Sequence, residues 1–198
     1  MEILDAHSYF WHLSRVADKI PLATIDRIAG ILVSAYNSGR TVYIFGNGGS
    51  AALASHLACD LGKGTINGTA RRFRVMALTD NVPLMTAWAN DSQFEDIFAE
   101  QLLNFVELDD VAFAISGSGN SPNILRALRA ARGAGAITVG LTGFQGGRMK
   151  DLCDQCTIVP SDNMQIIEDM HLCAAHALFT TVRQRICHPV EASSAAAR

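Results

Sequence analysis

Five short apolar runs set the limits on how this chain can fold. They read TVYIF (41–45), RVMAL (74–78), VAFAI (111–115), ITVGL (137–141) and TIVP (157–160), each five residues or fewer. Stretches with helical character separate them, the best being 50–61, 82–89, 95–106, 121–133 and 162–187. A strand that is apolar throughout must be covered on both faces, which is the condition of a parallel sheet. Parallel pairing needs crossover connections, and the intervening helices supply them. The pattern predicts a three-layer α/β domain with about five parallel strands and helices on both faces. Ahead of it, residues 2–18 predict a helix whose apolar stripe is Ile3, Phe10, Leu13 and Val16, with Trp11 beside it. A second helix follows Pro21, with Ile25, Ile28, Leu32 and Tyr36 on one face and Gly39 as its stop. The chain therefore divides into an N-terminal helical hairpin (1–39) and an α/β core (40–190), and the tail EASSAAAR (191–198) reads as disordered.

A length of 198 residues fits one domain. With 49% apolar and 18% charged residues the chain can build a sizeable core, and the low charge points to surface buried between subunits. A net charge of −3 gives no basic field for nucleic acid or an anionic membrane. No run reaches the roughly 18 apolar residues that span a bilayer. The N-terminal stretch carries Glu2 and Asp5 and lacks the basic start of a signal peptide. Five cysteines, an odd number in a chain of this size, argue against a disulfide framework and for a reducing cytoplasm.

In a sheet of this kind ligands sit beyond the carboxyl ends of the strands, where strand order reverses. The loops after the strands are therefore the place to look. After the first strand comes GNGGS, with Gly46, Asn47, Gly48 and Gly49, and a helix opening near Ser50. Glycines allow close backbone approach, and the free N–H groups of the helix favour an anion. The same stretch, GNGGSA, also satisfies a dinucleotide-turn pattern, and a plain strand-to-helix turn would look alike. After the third strand comes SGSGNSPN (116–123), with Ser116, Gly117, Ser118 and Ser121, and Pro122 opening a helix. Hydroxyls and helix N–H groups together make a neutral phosphate cradle, which a dinucleotide fold would not need a second time. Asn90 and Asp91, after the second strand, read on spacing alone as a helix stop.

His56 and Asp60 are four apart and share a helix face. Near the C-terminus Glu168 and His176 are eight apart and return to about the same face, whereas His171 and Asp169 point elsewhere. Two imidazoles and two carboxylates can hold a divalent metal such as zinc, or act as acid and base; buried packing is the plainer alternative. The single C-x-x-C, Cys153 and Cys156, lacks the second pair that a structural zinc site wants and reads as small strand-edge hydrophobes. Cys59 and Cys173 read as inert packing.

GNGGS, ISGSGNSPN, LTGFQGG and IEDMHLCAAH together resemble the sugar-isomerase (SIS) domain family, and within it the phosphoheptose isomerase group, over nearly the whole chain. The resemblance implies a flavodoxin-like five-stranded sheet and a homotetramer with active sites shared between subunits. It implies an aldose–ketose isomerase acting on sedoheptulose 7-phosphate, with zinc and without a nucleotide cofactor. Asn47, Gly48, Gly49, Ser50, Asn90 and Asp91 would touch the substrate, and Ser116, Gly117, Ser118 and Ser121 would hold its phosphate. His56, Asp60, Glu168 and His176 would hold the metal; Asp60, with Glu168 in reserve, would be the base and His176 the acid. This chain has Asp60 where the family's isomerases carry Glu, and Glu168 where they carry Gln. Some relatives are non-catalytic regulators, one a binder of the bacterial replication initiator, and these lack the His/carboxylate pairs.

Overall fold

The computed structural model describes residues 3–66, 68 and 71–188; the expectation of a disordered tail over 191–198 falls outside them. Among the described residues, seven α-helices and five strands form, with at least one helix between each strand and the next up to β4. The helices are α1 (Ala6–Ala17), α2 (Leu22–Ser38), α3 (Gly49–Gly64), α4 (Val82–Asp91), α5 (Ala99–Leu103), α6 (Pro122–Gly133) and α7 (Met164–Cys187). The strands are β1 (Val42–Gly46), β2 (Val75–Ala77), β3 (Val111–Ser116), β4 (Ile137–Thr142) and β5 (Gln155–Ile158). All neighbours pair in parallel, in the order β2-β1-β3-β4-β5. This is the flavodoxin-like order, and it reverses between β1 and β3. The loops leaving those two strands turn to opposite faces, so a crevice opens where the two glycine-rich motifs lie.

Alternate residues of each strand face opposite layers. Val42, Ile44, Phe113, Ile115 and Leu141 pack under α2, α3 and α7. Tyr43, Phe45, Ala112 and Ala114 pack under α5 and α6. Phe45, Phe98 and Phe113 are fully buried, and each such side chain contributes roughly 1.5–3 kcal/mol of transfer free energy. The first two helices both pack on α7. α1 starts from a capping box, in which Asp5 accepts from the Ser8 N–H (2.8 Å) and Ser8 accepts from the Asp5 N–H (3.1 Å).

The structure corrects four local expectations. Tyr9, Leu13 and Val16 form the packed stripe of α1, leaving Phe10 about 100° round the helix and 67% exposed. The fifth strand begins two residues earlier than TIVP and leaves Val159 and Pro160 beyond its end. The stretch 95–106 is not one helix but a 3-10 turn (Phe94–Asp96) followed by α5. The buried Asp96 carboxylate anchors that turn, accepting from Ser92 at 2.6 Å and pairing with Arg126 at 2.8 Å. Cys59 and Cys173 are exposed, because Leu53, Leu57 and Leu61 on α3, and Ala174 and Leu178 on α7, take the buried faces.

Candidate active site

The site is assembled at the crevice from two loops and two helices. β1 ends at Gly46, and α3 begins one turn of chain later. Gly48, the residue before α3, has φ +55°, a conformation that a side chain disfavours. Ser50 and Ala51 at the start of α3 donate their N–H groups back to the Asn47 and Gly48 carbonyls (3.0 Å each), and nothing charged stands in this first turn.

The serine loop faces them. Ser116, at the end of β3, is buried, and its Oγ lies 3.5 Å from that of Ser121. Ser121 sits at the N-cap of α6 yet makes no capping hydrogen bond, so its hydroxyl is turned to the crevice instead. A Cβ at Gly119 (φ +63°) would lie 2.2 Å from the Gly146 carbonyl oxygen, so the β4 loop clamps the serine loop closely. Hydrogen bonds complete the clamp: Gly143 N–H to the Gly117 carbonyl (2.9 Å), Met149 N–H to Gly119 (3.0 Å) and Arg148 N–H to the Asn120 side chain (3.1 Å). Asn47, Ser50, Ser116, Gly117, Ser118 and Ser121 line one pocket of about 150 Å³.

A second pocket, of about 290 Å³, runs between α3 and α7 toward His56. Ser50 and Glu168 line both pockets, so the two adjoin. Glu168 stands over the start of α3: a Cβ at Gly49 would lie 3.3 Å from its Oε1.

Further along the same pair of helices, His56 Nε2 lies 3.0 Å from His176 Nε2 and 3.3 Å from Asp60 Oδ2. Two imidazole lone pairs cannot face each other at 3.0 Å without a proton or a cation between them. Ligand atoms of His56, Asp60 and His176 all lie within 4.8 Å of one another. Zinc bonds of about 2.0–2.2 Å to N and O ligands call for donor atoms at such separations, and the N, N, O set suits that ion. Among the described residues this cluster does not include Glu168. Eight residues bring Glu168 and His176 to a similar face but about 12 Å apart along the helix, so they meet different levels of α3.

Asn90 and Asp91 end α4, exposed, with the Asn90 amide donating to Asp91 at 2.7 Å. Neither lines either pocket. Two contributors escaped the sequence reading. Asn123, 1% exposed, exchanges two amide hydrogen bonds with Asn47. His171 is 1% exposed and also lines the second pocket; burial pushes its pKa down to about 4. Asp169 accepts from the Tyr9 hydroxyl of α1 at 2.5 Å, and burial, with that acceptor, pushes the Tyr9 phenol up to about 12.

A doubly covered parallel sheet with two glycine-rich loops at its switch point, and a His/Asp/His cluster further along α3 and α7, is the setting of a phosphosugar-type site. The chain belongs to the SIS domain family, whose model matches residues 9–143. Among curated relatives, a phosphoheptose isomerase of Bradyrhizobium sp. is 42% identical over 165 residues, 83% of each chain. One from Rhodospirillum rubrum is 40% identical over 173 residues, 87% of this chain and 90% of its own. Among solved structures, a phosphoheptose isomerase from Francisella tularensis superposes with TM-score 0.83 at 30% identity, covering 90% of this chain and 96% of that one.

Proposed function

We propose that this chain is a phosphoheptose isomerase, converting sedoheptulose 7-phosphate to D-glycero-D-manno-heptose 7-phosphate through an enediol. One observation carries the reading: Ser50 and Glu168 belong both to the serine cradle and to the pocket that reaches His56. A phosphate held by Ser116, Ser118 and Ser121 directs the sugar along that path. Ser50 and His56 are six residues apart, a rise of about 9 Å. Seven single bonds separate the phosphorus of a heptulose 7-phosphate from C2, and they span roughly the same length.

Anchoring the phosphate fixes C1 and C2 beside Asp60 and His176, which removes the entropic part of the barrier. Asp60 takes the proton from C1, next to the C2 carbonyl. His176 moves a proton between O2 and O1 as the enediol forms and collapses, and Asp60 returns a proton to C2. Glu168, lining both pockets, is the reserve base. His56, Asp60 and His176 would hold zinc, which when bound would polarise the substrate carbonyl. Asp60 has two oxygens, so one can face a cation while the other faces C1.

In this reading the enzyme is a cytoplasmic homotetramer. Phe94, Leu103, Phe105 and Leu108 are all more than half exposed, which favours burial against a second copy. Asn90 and Asp91 then serve a neighbouring subunit's pocket. No helix of the described residues is long and apolar enough to cross a membrane.

The test is steady-state turnover of sedoheptulose 7-phosphate by the purified chain and by Asp60→Asn and His176→Asn. Each variant should lose about 10²–10⁴-fold in kcat while still being stabilised by the sugar phosphate. Unchanged turnover in both variants would refute the assignment of roles. Stabilisation by the sugar phosphate with no turnover in the unsubstituted chain would refute the activity.

A further inference from the structure

The Cys-x-x-C stretch plays no part in the site above, and neither cysteine lines either pocket. The fold nevertheless brings its two sulfurs together. Cys156 lies in β5, the sheet's edge strand, opposite Gly140 of β4. Cys153 lies in the turn that leads into it. Asp154 pins that turn: its N–H donates to the Thr138 carbonyl (2.8 Å) and its carboxylate accepts from the Thr138 N–H (2.8 Å). Both side chains then lean over the same point. A Cβ at position 140 would lie 2.9 Å from Cys153 Sγ and 3.1 Å from Cys156 Sγ, so the absence of a side chain at Gly140 makes the space that both sulfurs share.

We propose that Cys153 and Cys156 are a reversible dithiol/disulfide couple, an oxidation site at the sheet edge separate from the phosphosugar pocket. Sharing that space, the two thiols shift each other in opposite senses: the Cys153 thiol pushes Cys156 down, and the Cys156 thiol, with burial, pushes Cys153 up. The sulfur with more thiolate character is the better nucleophile, and here its resolving partner leans over the same Gly140. Both are half-buried rather than sealed, so a small oxidant can reach them.

With hydrogen peroxide as oxidant the steps balance. The Cys156 thiolate attacks one peroxide oxygen, the O–O bond breaks, and hydroxide leaves to be protonated to water. The resulting sulfenic acid is attacked by the Cys153 sulfur, the S–S bond forms, and a second water leaves with the Cys153 proton. Two thiols lose two electrons and two protons, and a dithiol reductant reverses the change.

The experiment treats the full chain with limiting peroxide, alkylates the remaining thiols and maps the peptides by mass. The expected product is an intramolecular Cys153–Cys156 disulfide, reversed by dithiothreitol, formed before Cys59 or Cys173 is oxidised although those two are more exposed. Cys153→Ser should leave a sulfenic acid on Cys156 that dimedone traps. Cys156→Ser should slow loss of the Cys153 thiol at least tenfold. Prior oxidation of Cys59 or Cys173 with the 153–156 thiols intact, or a disulfide joining any other pair, would overturn the proposal. The map of the unsubstituted chain decides the question even if a variant fails to fold.

Discussion

Asn47 and Asn123 hold each other by two reciprocal amide hydrogen bonds, of 2.9 and 2.8 Å, across the point where strand order reverses. One follows β1 and the other lies in the first turn of α6, so the pair ties the two glycine-rich loops into one unit. Asn123 is buried, and removing it leaves the Asn47 amide without its partner. Asn123→Ala should destabilise the chain by about 1–3 kcal/mol and raise KM for the sugar phosphate. Urea unfolding and steady-state kinetics on the same preparation read both effects.

The hydroxyl of Ser121 is not used to cap α6, which leaves it for a ligand. A hydrogen bond to a charged group is worth about 1.5–3 kcal/mol, or roughly ten- to a hundredfold. Ser121→Ala should therefore weaken binding of the sugar phosphate by that factor, with little change in folding stability. Isothermal titration with the sugar phosphate and with inorganic phosphate measures it.

His56, Asp60 and His176 cluster without Glu168. His56→Ala should abolish stoichiometric zinc binding, whereas Glu168→Gln should keep it and change only sugar-phosphate affinity. Metal content after dialysis against limiting zinc separates the two. Loss of zinc in the Glu168 variant would place that carboxylate among the ligands after all.

His171 gives a pH signature of stability. Its pKa is about 4 in the fold because burial disfavours the cation, against 6.5 when exposed. Between those values the unfolded chain binds a proton that the folded chain does not, so stability falls as pH drops from about 6.5 to about 4. The loss integrates to about 3 kcal/mol and levels off below that window. Above about pH 6.5 this group contributes no dependence. Urea midpoints across the range, compared with His171→Gln, should show that component flattened in the variant.

Much of this architecture was legible because the strands are apolar on both faces and short. Tyr43, Phe45, Phe113 and Ile115 could only be strand residues covered on two sides, and the glycine loops then fell at the strand ends. β5 was misplaced by two residues because it is an edge strand: Gln155 and Cys156 are tolerated where only one side is paired. The 3-10 turn Gly147–Asp151 was missed because long-range bonds to Gly119 and Asn120 hold it. At the site, helical spacing paired His56 with Asp60 and Glu168 with His176 but could not rank Glu168, because spacing along one helix gives its face and not which level of the neighbouring helix it meets. Asn123 carried no signal of its own, since its partner lies 76 residues away.

The most direct measurement is to incubate the chain with sedoheptulose 7-phosphate in D₂O and follow the sugar by NMR and mass spectrometry. Proton removal and return at neighbouring carbons should give an aldoheptose 7-phosphate carrying deuterium at C2, with deuterium also appearing at C1 of the recovered ketose. The same experiment with Asp60→Asn should slow both. A bound ketose that is recovered unchanged, with no aldose and no deuterium, would contradict the isomerase and leave a phosphosugar-binding protein.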